Sequence, residues 1–430
     1  MTQMADMSAD SDRAAEIRNA LTDKLRSDGM ITSSVVERAF RTVPRHLFAP
    51  QGTPLEVAYN AADSVATKRE QDGVIISSIS APFIQAQMIE QAGLGPGMSV
   101  LEVGSGGVNA ALLAEVVGPG GRVVSVDIDP EVTGRARALL DETGYGSRVT
   151  VVQADAEDGV PGLDEPVDAI LVTAGAWDIS PAWLEPLSED GTIVVPLRMN
   201  GITRSIGFRR EGDHLMSTSA EVCGFVAMQG SGAHDERVFL LPDAHGHNVK
   251  LRFDGDVPQN LSLLDGVMAD ERTEVWSGVT IKHGVSFADL HLWFAGFLTG
   301  FCKLAADEGA DLAAERKSWF PFGVVRGDSF AYLAVRPALE GAGIEFGARA
   351  YGAHGEAPAT AMVEQIQAWD RRARSGPAPT FAYWPAGTDR TQISESTATL
   401  EKTHGLVTIS WPATNEASPQ ARTHHPNPGR

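Results

Sequence analysis

The chain is poor in cysteine, in positive charge and in long apolar runs, and each shortage removes a class of protein. Its two cysteines, Cys223 and Cys302, lie far apart in a chain of 430 residues, each in an apolar setting. That excludes a disulfide framework or a zinc spacing and reads both as small buried hydrophobes. Lysine and arginine number 35 against 56 acids, a net charge of −21. Such a chain repels phosphates, so no nucleic acid and no anionic membrane surface is expected as a partner. The most apolar helical stretch, 290–305, carries His291 and Lys303 and is too short to span a bilayer. Residues 1–12 are acidic and polar, without the basic and apolar regions of a secretion signal, and are expected to be disordered. These features predict a cytoplasmic protein. His245 and His247 stand close together without an accompanying acid–histidine constellation, so no metal is expected.

Apolar residues make up 43% of the chain and charged ones 21%, enough for large cores over a length that predicts two or three domains. Helical spacing marks 14–28, 81–92, 110–117 and 131–143. Strand-like runs fall between them at 98–103, 122–127, 149–153, 167–173 and 192–197. This alternation predicts an α/β fold, a mostly parallel, doubly wound sheet with helices on both faces. Two further runs, 205–210 and 220–228, joined by Glu211-Gly212-Asp213, predict an antiparallel edge. The character changes at 230–236, a glycine-containing polar linker. Beyond it, strands are expected at 238–241, 248–253, 279–282, 329–336, 345–351, 380–384 and 405–411. Helices are expected at 287–306 and 359–374. The predicted organisation is a first domain over 13–230, an α+β domain over 236–411, and a disordered tail over 412–430.

The chemistry sits at strand ends. Gly104-Ser105-Gly106-Gly107 follows the strand that ends at Val103, and glycines let backbone approach a ligand closely. Asp127 stands 23 residues after Gly104 at the end of the next strand, where an acid accepts hydrogen bonds from ribose hydroxyls. Asp155 follows the strand after that and can reach an adenine amine. A dinucleotide and S-adenosylmethionine (SAM) both need this much. Two features favour SAM: the turn lacks the full G-x-G-x-x-G of a pyrophosphate site, and Glu102 precedes it where a pyrophosphate is unwelcome. Asp129, before Pro130, reads as a helix cap. Lys68 and Arg69 read equally as substrate-steering charges or a solvated turn.

The stretch from Ala39 to Phe48, which contains Val43-Pro44-Arg45-His46, is the first of several linked motifs. Ser78-Ile79-Ser80-Ala81-Pro82, the glycine turn, Asp127, Asp155, Val167-Asp168-Ala169-Ile170, 191–196 and 223–228 follow it. In order and spacing they resemble the protein-L-isoaspartate O-methyltransferase family, over about 230 residues. The resemblance implies a Rossmann-like SAM methyltransferase fold and SAM as cofactor. It implies Ser80 as the active-site serine beside the substrate carboxylate. Cofactor contacts would come from Ser78, Ile79, Glu102, Gly104, Ser105, Gly106, Asp127, Ile128, Asp155, Ala156 and Thr173.

The chain also departs from the repair enzymes of that family. Its lead-in to the serine, 67–77, is longer and charged, its glycine turn is one residue shorter, and it carries an extension of about 200 residues. With Gly106-Gly107-Val108-Asn109-Ala110-Ala111, these features resemble the extended "FxLD" subgroup linked to lanthipeptides and other ribosomally made, modified peptides. That implies a modified precursor peptide as partner and methylation of a normal aspartate, leading through succinimide to isoaspartate. The alternative is repair of L-isoaspartate in damaged proteins. Residues 236–411 would then contribute peptide recognition.

Overall fold

A computed structural model of the chain describes residues 2–412 apart from 256, 315–317, 340, 342, 375, 392, 395 and 396, with the side chains of all but 2–11 and 314. The expected tail beyond 412 lies outside the described residues. The first helix is Thr2–Ser27, longer than expected. The start expected to be disordered forms its first turns, because alanine, methionine and glutamine extend an existing helix at low cost. Ser33 caps the next helix, Ser34–Thr42, by accepting the Val36 N–H at 3.3 Å.

Strands β1 (Val65–Arg69) and β2 (Ile75–Ile79) form an antiparallel hairpin out of the charged lead-in. Five parallel strands follow: β3 (Ser99–Val103), β4 (Arg122–Asp127), β5 (Val149–Gln153), β6 (Val167–Val172) and β7 (Leu187–Met199). Strand β6 pairs with β3 on the side away from β4, so the chain reverses its direction of winding between them. In open α/β sheets such a switch leaves a crevice at the carboxyl ends of the strands. Strands β8 (Ile202–Glu211) and β9 (His214–Val222) form the expected antiparallel pair but not an edge, because β9 pairs on its far side with the later strand Thr380–Pro385. The strand expected over 220–228 ends earlier. After Val222 the chain leaves the sheet, and Ala227 makes only an isolated bridge with Gly175.

The second half builds a seven-stranded antiparallel sheet. Its strands are β10 (Arg237–Pro242), β11 (Asn248–Phe253), β12 (Thr273–Ile281), β13 (Phe301–Ala306), β14 (Trp319–Arg326), β15 (Ser329–Pro337) and β16 (Ile344–Tyr351). The helix expected over 287–306 is in fact helix Ala288–Phe297 followed by β13. Gly300 turns the chain between them at φ +83°, where an added Cβ would meet the Val325 carbonyl at 2.3 Å.

Sheet membership does not follow the expected boundary at 230. The last strands, β17 (Thr380–Pro385), β18 (Ala398–Glu401) and β19 (Gly405–Ser410), return to the first sheet. They give the ten-strand order β18-β19-β17-β9-β8-β7-β6-β3-β4-β5. Packing follows the same plan. One core contains Leu101 and Phe208 of the first sheet, Leu333 and Phe346 of the second, and Trp369 of helix Glu356–Arg372. Each fully buried side chain of this kind contributes about 1.5–3 kcal/mol. The other face of the first sheet packs Val100 and Leu171 against helices Pro82–Ala92 and Val108–Val117. Among the described residues no helix is long and apolar enough to cross a membrane.

Candidate active site

A cleft of about 560 Å³ opens at the carboxyl ends of β3, β4, β5 and β6, the position the strand order dictates. Of the residues expected to serve the site, Ser78, Ser80, Gly104, Ser105, Gly106, Asp127, Ile128, Asp155, Ala156 and Thr173 all line it.

Gly104 takes φ +99°, and an added Cβ would stand 2.4 Å from the Thr173 hydroxyl. That hydroxyl donates to the turn, with the Val103 and Gly104 carbonyls both at 3.0 Å. Thr173 therefore closes the turn from the end of β6, and only glycine fits opposite it. The Asp127 carboxylate accepts the Ser105 N–H and the Asp129 N–H, both at 2.9 Å, one on each oxygen. Each oxygen keeps a second lone pair for a ligand hydroxyl. Burial raises the pKa of Asp127, and the two backbone donors oppose that shift.

Asp129 caps helix Pro130–Glu142, as expected, and Lys68 of the hairpin bonds it at 2.6 Å and Glu131 at 2.8 Å. Lys68 is thus ion-paired between hairpin and helix and not part of a solvated turn. The hairpin sets Ser77 and Ser78 in the wall of the cleft, with the Ser78 carbonyl 3.9 Å from where a Cβ on Gly106 would lie.

Two expected cofactor contacts do not line the cleft. Ile79 alternates away from Ser78 and Ser80 into the core. Glu102 is fully buried beneath the turn, accepts from Asn109 Nδ2 at 2.8 Å and is bonded by the Ser125 hydroxyl. Burial pushes its pKa up to about 7.

Sequence reasoning missed the roof of the cleft. Phe225, Val226 and Met228 line it after the chain leaves β9, and Ser231 donates its N–H to Asp155 Oδ2 at 2.7 Å. Gly230 packs so tightly there that an added Cβ would stand 2.3 Å from the same oxygen. The glycine pair Gly230 and Gly232, read as linker chemistry, was the available signal.

A family model described as protein-L-isoaspartate(D-aspartate) O-methyltransferase matches residues 16–232. Relatives of that name include one from Hyperthermus butylicus, 37% identical and covering 45% of this chain and 80% of the relative. Another, from Methanopyrus kandleri, is 42% identical and covers 42% and 76%. A Plasmodium falciparum protein crystallised with S-adenosyl-L-homocysteine is similar at 15% identity and a TM-score of 0.43, over 49% of this chain and 98% of that one.

Proposed function

The chain belongs to the protein-L-isoaspartate O-methyltransferase family, and we propose that it methylates the side-chain carboxylate of an aspartate in a modified, lanthipeptide-like peptide. The family chemistry is SAM-dependent carboxyl O-methylation. The cleft suits that cofactor: the Gly104 cradle admits close backbone approach, and Asp127 keeps lone pairs for ribose hydroxyls.

One observation supports a dedicated peptide over damaged proteins at large. The extension packs behind the cleft wall, where His404 Nε2 lies 2.9 Å from the carboxylate of Glu157, the residue after Ala156, which lines the cleft. A repair enzyme must admit unrelated sequences, whereas an added segment joined to the cleft wall can favour one.

When bound, SAM supplies a methyl carbon activated by its own sulfonium. The chain has little acid–base work to do, because an aspartate is already ionised near neutral pH. Ser80 is assigned to hold one carboxylate oxygen while the other attacks, and catalysis is then a matter of alignment. With SAM bound, the O–CH3 bond would form as the S–CH3 bond breaks, the electron pair staying on sulfur, and S-adenosylhomocysteine and the methyl ester would then leave the site. The next residue's backbone nitrogen attacks the ester carbonyl, its proton leaves with the methoxy group as methanol, and a succinimide forms. Water opens that ring to isoaspartate and some aspartate.

The test is a side-by-side assay of the purified full chain with SAM on matched peptides carrying aspartate or isoaspartate at one position. Methyl ester or succinimide on the aspartate peptide is the expected result. Repair of L-isoaspartate is the second reading, favoured by the names of the archaeal relatives, and methylation of the isoaspartate peptide alone would establish it.

A further inference from the structure

Six polar side chains form a continuous line beneath the cleft, and none is more than 8% exposed. Arg45 Nη2 donates to the Ser80 carbonyl at 2.7 Å, and its Nε to the Ala58 carbonyl at 2.6 Å. Arg45 Nη1 donates to Gln85 Oε1 at 2.5 Å, and Gln85 Nε2 to Asn109 Oδ1 at 3.4 Å. Asn109 Nδ2 donates to Glu102 Oε1 at 2.8 Å. The other Glu102 oxygen is bonded by Ser125, whose hydroxyl lies 2.8 Å from that of Ser105 in the glycine turn. Ser105 in turn gives its N–H to Asp127.

We propose that Arg45, Gln85, Asn109, Glu102, Ser125 and Ser105 act as one positioning chain that fixes the distance between the Ser80 loop and the cofactor turn. The proposal rests on the reading that Ser80 holds the substrate carboxylate and the turn holds SAM.

The direction of the line is set chemically. Arg45 can only donate, so Gln85 must turn its oxygen toward it and its nitrogen toward Asn109. Asn109 must then point its own nitrogen at Glu102. Donors converge on the Glu102 carboxylate from both ends, and neither amide can flip without leaving a buried polar atom unpaired. An apolar core of the same volume is often as stable as a buried charged network. It would fill the space without holding the Ser80 carbonyl. Transfer in line from sulfur to oxygen is sensitive to just this spacing, since a misplacement of about 1 Å can cost about 10²-fold in rate.

The experiment uses the full chain. Gln85→Met cuts the line with little change of volume, and Glu102→Leu cuts it elsewhere. Both should lower kcat on the responsive peptide about 10-fold or more while the KM for SAM stays within about 3-fold. Glu102→Gln is the rescue, because its amide can accept from Asn109 and donate to Ser125, so its kcat should stay within about 3-fold of the parent. A second measurement needs no turnover. Addition of S-adenosylhomocysteine should slow amide hydrogen exchange at both 104–106 and 78–80 in the parent. In Gln85→Met the protection should persist at 104–106 and be lost at 78–80. Gln85→Met and Glu102→Leu with lowered melting temperature but unchanged kcat and unchanged exchange coupling would overturn the proposal. If the parent methylates neither peptide yet shows the exchange coupling, the functional reading fails and the positioning chain stands.

Discussion

Lys402 holds its ammonium nitrogen 3.3 Å from the centre of the Trp177 ring and donates to the Arg198 carbonyl at 2.6 Å. Lys402 lies between β18 and β19, at the far end of the sequence, and Trp177 follows β6 beside the cleft. His234 stacks on the same indole with ring centres 3.7 Å apart. Tyr383 and His404 bond the neighbouring Asp178, the tyrosine at 2.8 Å. The loop after β6 is thus gripped by residues from outside the family-matched region.

That contact has a pH signature. Burial lowers the pKa of Lys402 to about 7, whereas an unfolded lysine titrates near pH 10.4. Between about pH 7 and about pH 10.4 the unfolded chain binds more protons, so Lys402 makes stability rise with pH across that window. Below it both states are charged and the contribution is flat. Urea midpoints measured from about pH 7 to about pH 9.5 should climb more steeply for the parent than for Lys402→Met. Parallel curves would mean that Lys402 titrates normally.

The parallel half of the fold was legible because β3, β4 and β5 are short valine-rich runs that close on Gly104, Asp127 and Asp155. The same punctuation named most of the cleft. Glu102 was misplaced because sequence adjacency to Gly104 says nothing of depth, and the side chain turns beneath the turn instead of into the cleft. The hairpin was read as a charged lead-in because Lys68 finds its partners 61 and 63 residues away, at Asp129 and Glu131. The return of β17–β19 to the first sheet depends on a contact between Ala382 and Met216, which no local pattern encodes.

Gly104→Ala tests the cradle. The residue would carry a Cβ at φ +99° and 2.4 Å from the Thr173 hydroxyl. Left-handed strain at a non-glycine residue costs about 1–3 kcal/mol, and relief requires moving the turn. Calorimetric titration with S-adenosylhomocysteine should show affinity reduced about 10-fold or more, with a lower melting temperature. Unchanged affinity would place the cofactor away from this turn.

Truncation after residue 232 tests whether the extension is a separable module. The core joins Leu101 and Phe208 to Leu333, Phe346 and Trp369, so removal uncovers one face of the first sheet. Large exposed apolar patches drive association. The truncated chain should aggregate or lose its cooperative transition, measured by size-exclusion chromatography and thermal unfolding. A soluble monomer that unfolds cooperatively and binds S-adenosylhomocysteine would show that the extension is dispensable for the fold.

Ser80→Ala separates substrate from cofactor. Arg45 holds Ser80 through its backbone carbonyl, a bond that survives the substitution, so the loop should keep its place. What is lost is the hydroxyl assigned to the substrate carboxylate. A hydrogen bond to a charged group is worth about 1.5–3 kcal/mol, or about 10- to 150-fold in kcat/KM toward the peptide if the bond is made in the transition state. Affinity for S-adenosylhomocysteine should be nearly unchanged. Equal losses in cofactor affinity and turnover would move Ser80 to the cofactor. Full activity would leave the carboxylate to be held by another group of the cleft, with the Ser78 hydroxyl next to be replaced because it lines the cleft on the same segment as Ser80.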